Sequence, residues 1–260
     1  METKQVILAL LSIVFVSFNG YAVDNAVSYG VTAGSCSFGT NAVLNITSAN
    51  ASGFTFEAWI YRKDILTTNQ AIYSRAVVSG ADGYEVWINT NKLQLDVLNS
   101  GQSRAYTIAS TVNIASGVWT NVVCEINSST ASIFVNGKFR NGTEAVGQTK
   151  GFGGSISIGA YIGNAVWDPA EPANIIVDEV RISNNLRYTA EFSVPTAAYT
   201  SDGSTRVLWH FDEGSGTSTV DSSGNSVTGS LSGTYSWVNG VFYSATVAEA
   251  RKKPTRVIIY

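Results

Sequence analysis

Two glycine-rich phrases toward the end of the chain, Asp212-Glu213-Gly-Ser-Gly216 and Asp221-Ser-Ser-Gly-Asn225, set carboxylate and amide oxygens on tight turns. A hard divalent cation such as Ca2+ collects roughly six to eight oxygens from side chains and backbone carbonyls, which turns of this kind supply. Asp212, Asp221 and Asn225 are therefore candidate calcium ligands. The same residues have a second use: an Asx-turn, in which Asp221 bonds its own backbone.

A second set of residues suits sugars. Trp59, Tyr61 and Trp87 share strand parity with Glu57, Glu85 and Asn89. One sheet face is then expected to mix aromatic rings with hydrogen-bonding groups, as sugars require for their C–H faces and hydroxyls. Trp167, beside Asp168 in a long polar loop, is the candidate exposed platform. Trp119 and Trp209 stand in apolar strands and are expected in the core.

Catalysis finds little footing. The single histidine, His210, lies in a strand between Trp209 and Phe211, where a structural role is expected rather than a place in a Ser–His–Asp arrangement. A retaining glycosidase needs two carboxyls flanking one bond. Asp178 and Glu179 are direct neighbours, which on a regular strand point to opposite faces. No catalytic residue is assigned, and the chain reads as a binding protein rather than an enzyme.

The elements that must hold these residues are strands. Residues 54–61 separate cleanly by parity, with Phe54, Phe56, Ala58 and Ile60 on one side. Residues 84–89 repeat the division and turn through Thr90-Asn91-Lys92 into 93–98. Residues 119–126 and 131–135 are joined by a polar turn, and the second ends in Asn136-Gly137, a type I′ signal because both residues tolerate positive φ. Further strands are expected at 155–160, 175–182 and 206–211. Pro195 keeps the connector 187–200 out of a central strand. No stretch has a sustained helical period, so the chain is predicted to be all-β.

Composition agrees. Among 260 residues only 13% are charged, while glycine (24), tyrosine (12) and tryptophan (6) are plentiful. The net charge of −3 and the lack of a basic stripe, apart from Arg251, Lys252 and Lys253, argue against nucleic acid as a partner. Residues 1–22 read as an export signal: a short n-region with Lys4, an apolar stretch over 5–18, and small residues at Gly20 and Ala22. The apolar run is shorter than the roughly 20 residues that span a bilayer, so no stable membrane span is expected once the signal is removed. An exported chain permits a Cys36–Cys124 disulfide, the alternative being two buried free thiols.

Taken in order, the Phe-Thr-Phe-Glu-Ala-Trp strand (54–59), the Trp119 strand, the Phe-Val-Asn-Gly-Lys hairpin (134–138) and Val-Asp-Glu-Val-Arg-Ile (177–182) resemble the laminin-G-like, concanavalin A-like jelly-roll family. The resemblance runs from about residue 27 to 242. It implies a two-sheet antiparallel jelly-roll β-sandwich over residues 23–247, a structural calcium, and a secreted, lectin-like module that recognises a glycan or a cell-surface protein. The alternatives are a structural or adhesive module and, third, a glycosidase or lyase. The phrase WHFDEGSG…DSSGN commonly opens a domain in that family, whereas here it closes one. Residues 205–247 therefore either supply the closing strands of the same sandwich or begin a truncated second repeat, and 248–260 form a tail.

Overall fold

Alternation of apolar and polar residues, punctuated by Gly and Asn, lays down antiparallel strands. The computed structural model describes residues 24–47, 50–63, 69–76, 83–98, 104–144, 159–163 and 173–243. The signal segment 1–22, the tail 248–260 and the pair Trp167 and Asp168 lie outside the described residues. The strands are β1 (Asn25–Ser37), β2 (Phe54–Arg62), β3 (Gln70–Ala76), β4 (Gly83–Asn89), β5 (Lys92–Leu98), β6 (Arg104–Asn113), β7 (Trp119–Ile126) and β8 (Ala131–Val135). They continue with β9 (Lys138–Phe139), β10 (Asn141–Glu144), β11 (Gly159–Ile162), β12 (Ile175–Ser183), β13 (Thr205–Trp209), β14 (Ser218–Thr219) and β15 (Gly229–Asn239). One 3₁₀ turn, Ala42–Leu44, follows β1.

Pairing runs β10-β6-β5-β4-β3-β11-β1-β12-β2-β7-β8-β9, with β13 on β12 and β15 on β1. The path is a sandwich, because β1 belongs to both layers. Its first residues pair with β12 (Val27↔Val177) and its last with β11 (Cys36↔Ile162). The register of β1 against β15 shifts between Tyr29 and Gly34, a bulge of the kind that lets one strand turn a corner between sheets. We call β10-β6-β5-β4-β3-β11 the first layer and β13-β12-β2-β7-β8-β9 the second.

The layers meet through one set of parities. Phe54, Phe56, Ala58 and Ile60 of β2 and Tyr84, Val86 and Ile88 of β4 enter the same buried cluster. Phe54 stacks on Tyr84 at 4.3 Å and Phe56 on Tyr73 at 5.1 Å, although β2 pairs with neither β3 nor β4. Trp209 is fully buried here, stacked on Phe38 at 3.9 Å, and its indole N–H donates to Val227 O. The Asn136-Gly137 turn has φ of +50° and +70°. A Cβ at Gly137 would stand 2.1 Å from Phe192 O, so glycine is required there twice over.

Two expectations need correction. Cys36 and Cys124 form no disulfide; both are free and buried. Cys36 lies on the end of β1 that pairs with β11, in the first layer, and Cys124 on β7 in the second. Trp119 is only half-buried, edge-on to Tyr61 at 5.8 Å, and packs outside the layers' common core. It sits at the start of β7, on the parity that faces away from that core.

Candidate functional site

Residues that point away from the common core lie on two different outer faces. Trp59 and Tyr61 stand on the outside of the second layer and Trp87 on the outside of the first, in separate clusters. Shared parity therefore does not put Trp59 and Trp87 on one surface, because the strands that carry them belong to opposite layers.

The outer face of the second layer is sealed by the chain that follows β12. Glu57, wholly buried, accepts from Arg181 Nε at 2.5 Å and from the Tyr188 hydroxyl at 2.7 Å, and Arg187 Nε lies 3.3 Å away. Arg181 also donates to Thr200 O at 2.9 Å and stacks over the Tyr199 ring. Arg187 forks onto Asp202 with two bonds of 2.9 Å, holding that carboxyl well below its usual range. Glu125 accepts the backbone N–H groups of Arg187 and Tyr188 at 2.7 and 3.1 Å. Burial pushes its carboxyl up to about 7. Asn121 donates to the Tyr199 hydroxyl, and Trp59 packs with Tyr199, Leu208 and Phe242. Residues 184–204 are thus a strap fastened by hydrogen bonds and ion pairs, and Trp59 is a structural ring beneath it.

The outer face of the first layer is different in kind. Register places Ser74, Glu85, Asp96 and Thr107 in one row across β3, β4, β5 and β6, and Ala71, Trp87, Gln94 and Ala109 in the next. Ser74 donates to Glu85 Oε1 at 3.1 Å, Thr107 to Asp96 Oδ1 at 2.7 Å, and Gln94 to both Asp96 oxygens at 2.9 Å. Asn89 donates to Gln94 Oε1 at 3.2 Å. One large ring therefore stands among two carboxylates, two amides and two hydroxyls. Trp87 is 1% and Glu85 0% exposed, so a ligand reaches them only where what covers them yields. Asp96, Gln94 and Thr107 had no sequence motif to flag them; only cross-strand register brings them beside Glu85.

A third cluster gathers carboxylates. Asp24, Asp178 and Glu179 bring ligand atoms within 4.8 Å of one another. Asp178 and Glu179 do not point to opposite faces as a regular strand would require. Asp178 pairs with Trp59 and Arg181 with Glu57, so residues 179 and 180 oppose Ala58 alone, and Glu179 takes φ of +52°. That bulge turns both carboxylates to one side. Asp178 accepts from Val241 N, Asp24 from Phe242 N, and Glu179 from Tyr199 N and from His210 Nδ1 at 2.8 Å. The bond to Glu179 raises the His210 imidazole above its usual range. Burial pushes Asp24 up to about 6 and Asp178 up to about 9, and their proximity adds to it. Asp212, with one oxygen on Asn25 N, is raised by burial as well. A Cβ at Gly240 would stand 2.4 Å from Asp24 Oδ2 and 2.6 Å from Asp178 Oδ2, so the closing turn presses directly on the carboxylates. An all-oxygen donor set, crowded and poorly solvated, fits a hard cation.

Asp221 and Asn225 have other work. Asp221 Oδ1 accepts from Leu208 N and Ser223 N, and Oδ2 from Val227 N and the Ser223 hydroxyl. Asn225 turns its amide N–H toward Thr205 O and Arg206 O. These residues lock the turn onto β13, as the Asx-turn reading expects: both Asp221 oxygens are engaged, and Asn225 presents donors to those carbonyls. Of the three expected calcium ligands only Asp212 stands beside the acidic cluster, through its coupling to Asp24 and Glu179.

Residues 37–193 match a family model described as the concanavalin A-like lectin/glucanases superfamily. No curated protein matches the chain in sequence. A Bacteroides ovatus protein provisionally assigned as carbohydrate-binding superposes with a TM-score of 0.58 at 18% identity. That match covers 85% of this chain, which spans 61% of the Bacteroides protein's length. A heptameric SAP-like pentraxin from Limulus polyphemus superposes with a TM-score of 0.55 at 13% identity, over 86% of this chain and 99% of its own. At such identities the likeness is one of fold. No helix among the described residues is long and apolar enough to cross a membrane.

Proposed function

The chain belongs to the concanavalin A-like lectin/glucanases superfamily, and on that premise we propose that it is a non-catalytic, extracellular module that binds glycans on the outer face of its first layer. The observation that carries this reading is the placement of Trp87 in a row beside Glu85 and Asp96, flanked by Gln94 and Thr107. A sugar needs a ring for its C–H face and donors and acceptors for its hydroxyls, and this face offers both. On the opposite face Glu57, Glu125 and Asn121 bond to the strap. The carbohydrate-binding assignment of the Bacteroides relative supports the same ligand class. Trp167 and Asp168 belong to this proposal as candidate contacts to the glycan.

Calcium would be held by Asp24, Asp178 and Glu179, with Asp212 beside them. It would supply charge compensation to crowded carboxylates and tie the start of β1, the bulge of β12 and the turn after β15 together.

One arrangement favours a second reading. Glu85 and Asp96 are directly opposed on neighbouring strands, and a retaining glycosidase needs a pair of carboxyls flanking one bond. A glycan array on the protein without residues 1–22, with and without chelator, tests the binding reading. Retention of one glycan class without release of product is expected. Product formation that Glu85→Gln abolishes would move the reading to a hydrolase, and retention of no glycan would leave a structural or adhesive module.

A further inference from the structure

Between the 3₁₀ turn after β1 and the start of β13 lies a pocket of about 190 Å³, bordered by Val43, Asn45, Ile46, Asn50, Asn184 and Arg206. It is separate from the first layer's outer face and from the acidic cluster. Its walls are unlike one another. Ala42 and Val43 offer apolar surface, three asparagines stand around them, and Arg206 brings a cation. No carboxylate borders it among the described residues.

Arg206 is held in place without being neutralised. The Asn184 amide donates its Nδ2 to Ser204 O at 3.1 Å and turns its Oδ1 to Arg206 Nε at 3.3 Å and to Nη2. Among the described residues no carboxylate pairs with Arg206, and its Nη1 has no hydrogen-bond partner. Other cations of this region are spent: Arg181 on Glu57, Arg187 on Asp202 and Lys138 on Glu191. A planar guanidinium whose outer edge is open matches the two oxygens of a carboxylate or sulfate. The volume lies below the roughly 300–1,000 Å³ of drug-sized sites, which suits one sugar ring rather than an oligosaccharide.

We propose that this pocket binds the oxyanion of an acidic sugar, a uronate carboxylate or a sulfate ester, with Arg206 on the oxyanion and Ala42 and Val43 against the ring. The site adds charge selection to the molecule and does not depend on the Trp87 face, so either can fail alone.

The test titrates glucuronate, glucose 6-sulfate, glucose and inorganic sulfate into the protein without residues 1–22, by saturation-transfer NMR and calorimetry. One or both acidic sugars are expected to bind at least tenfold more tightly than glucose and than inorganic sulfate, and which of them binds identifies the oxyanion. Arg206→Gln should weaken binding at least tenfold. Asn184→Asp, which places a carboxylate on the guanidinium, should do the same with the melting temperature as the check on folding. Trp87→Phe should leave acidic-sugar binding unchanged. Wild type that binds neither acidic sugar, binding retained by both pocket variants, or inorganic sulfate bound as tightly as the sugars would overturn the proposal.

Discussion

The two outer faces of the sandwich are built from the same strand alternation and end in opposite conditions. On the second layer Glu57, Glu125, Asn121 and Arg181 are buried beneath residues 184–204, and each finds a partner in that strap or its neighbours. On the first layer Glu85 bonds to Ser74, and Asp96 to Gln94 and Thr107, along their own sheet, with Trp87 among them. Parity decides which side chains leave the core; it does not decide what meets them outside. The second layer's polar groups hold the strap and are structure; the row beside Trp87 is the one the proposed function assigns to recognition.

The largest expected effect breaks the strap. Glu57→Ala leaves the Arg181 guanidinium buried without its carboxylate, which costs about 3–5 kcal/mol. Chemical denaturation should show this loss, while the folded variant keeps wild-type glycan affinity. A loss below 1 kcal/mol would mean that the strap does not seal this face.

Calcium comes next. A cation that binds only the folded protein stabilises it by about 2.7 kcal/mol at a hundredfold excess over Kd. Melting curves with calcium and with chelator should separate by several degrees, and Asp178→Asn should close the gap. Asp221→Ala should lower both curves together, because it removes a turn lock rather than a ligand. Superimposable wild-type curves would contradict cation binding at the acidic cluster.

A smaller effect sharpens the other face. Trp167→Ala should weaken glycan binding by at least about 1 kcal/mol, in line with interface hot spots, with melting unchanged. Wild-type affinity in that variant would confine the site to Trp87 and its row.

A further effect is a pH dependence beneath the strap. Burial raises the Glu125 carboxyl from its ordinary 4.5 to about 7. Its protonated form is favoured in the folded state, so this contribution is full below the unfolded value and is lost as pH rises through about 7. The stability of the wild type relative to Glu125→Gln should therefore fall between about pH 4.5 and 7. A difference that is flat across that window would contradict the shift.

Much of this architecture is legible in the chain. The parity of residues 54–61 and 84–89 announces the core face, and Asn136-Gly137 announces its turn, because both signals are local. The Asp178-Glu179 bulge is not legible, since an extra residue shows only against the register of β2. Trp59 and Trp87 look alike in sequence because nothing local says which layer a strand will join. Asp96 and Thr107 come to Glu85 only through pairing. The strap reads as a plain connector because its partners, Glu57 and Glu125, are far away in sequence. The pairings of β13 with β12 and of β15 with β1 are long-range as well, which is why the sequence leaves the placement of residues 205–247 open between two arrangements.

The central claim is that recognition belongs to the first layer's outer face and not to the second's. Calorimetric titration of one array-positive oligosaccharide into the wild type, Trp87→Phe and Tyr188→Phe tests it most directly. Trp87→Phe trims the ring on one face, and Tyr188→Phe removes a single hydroxyl from the strap on the other. The account predicts at least a fivefold loss of affinity for Trp87→Phe and wild-type affinity for Tyr188→Phe. Equal affinity of Trp87→Phe and wild type, or a loss confined to Tyr188→Phe, would contradict it.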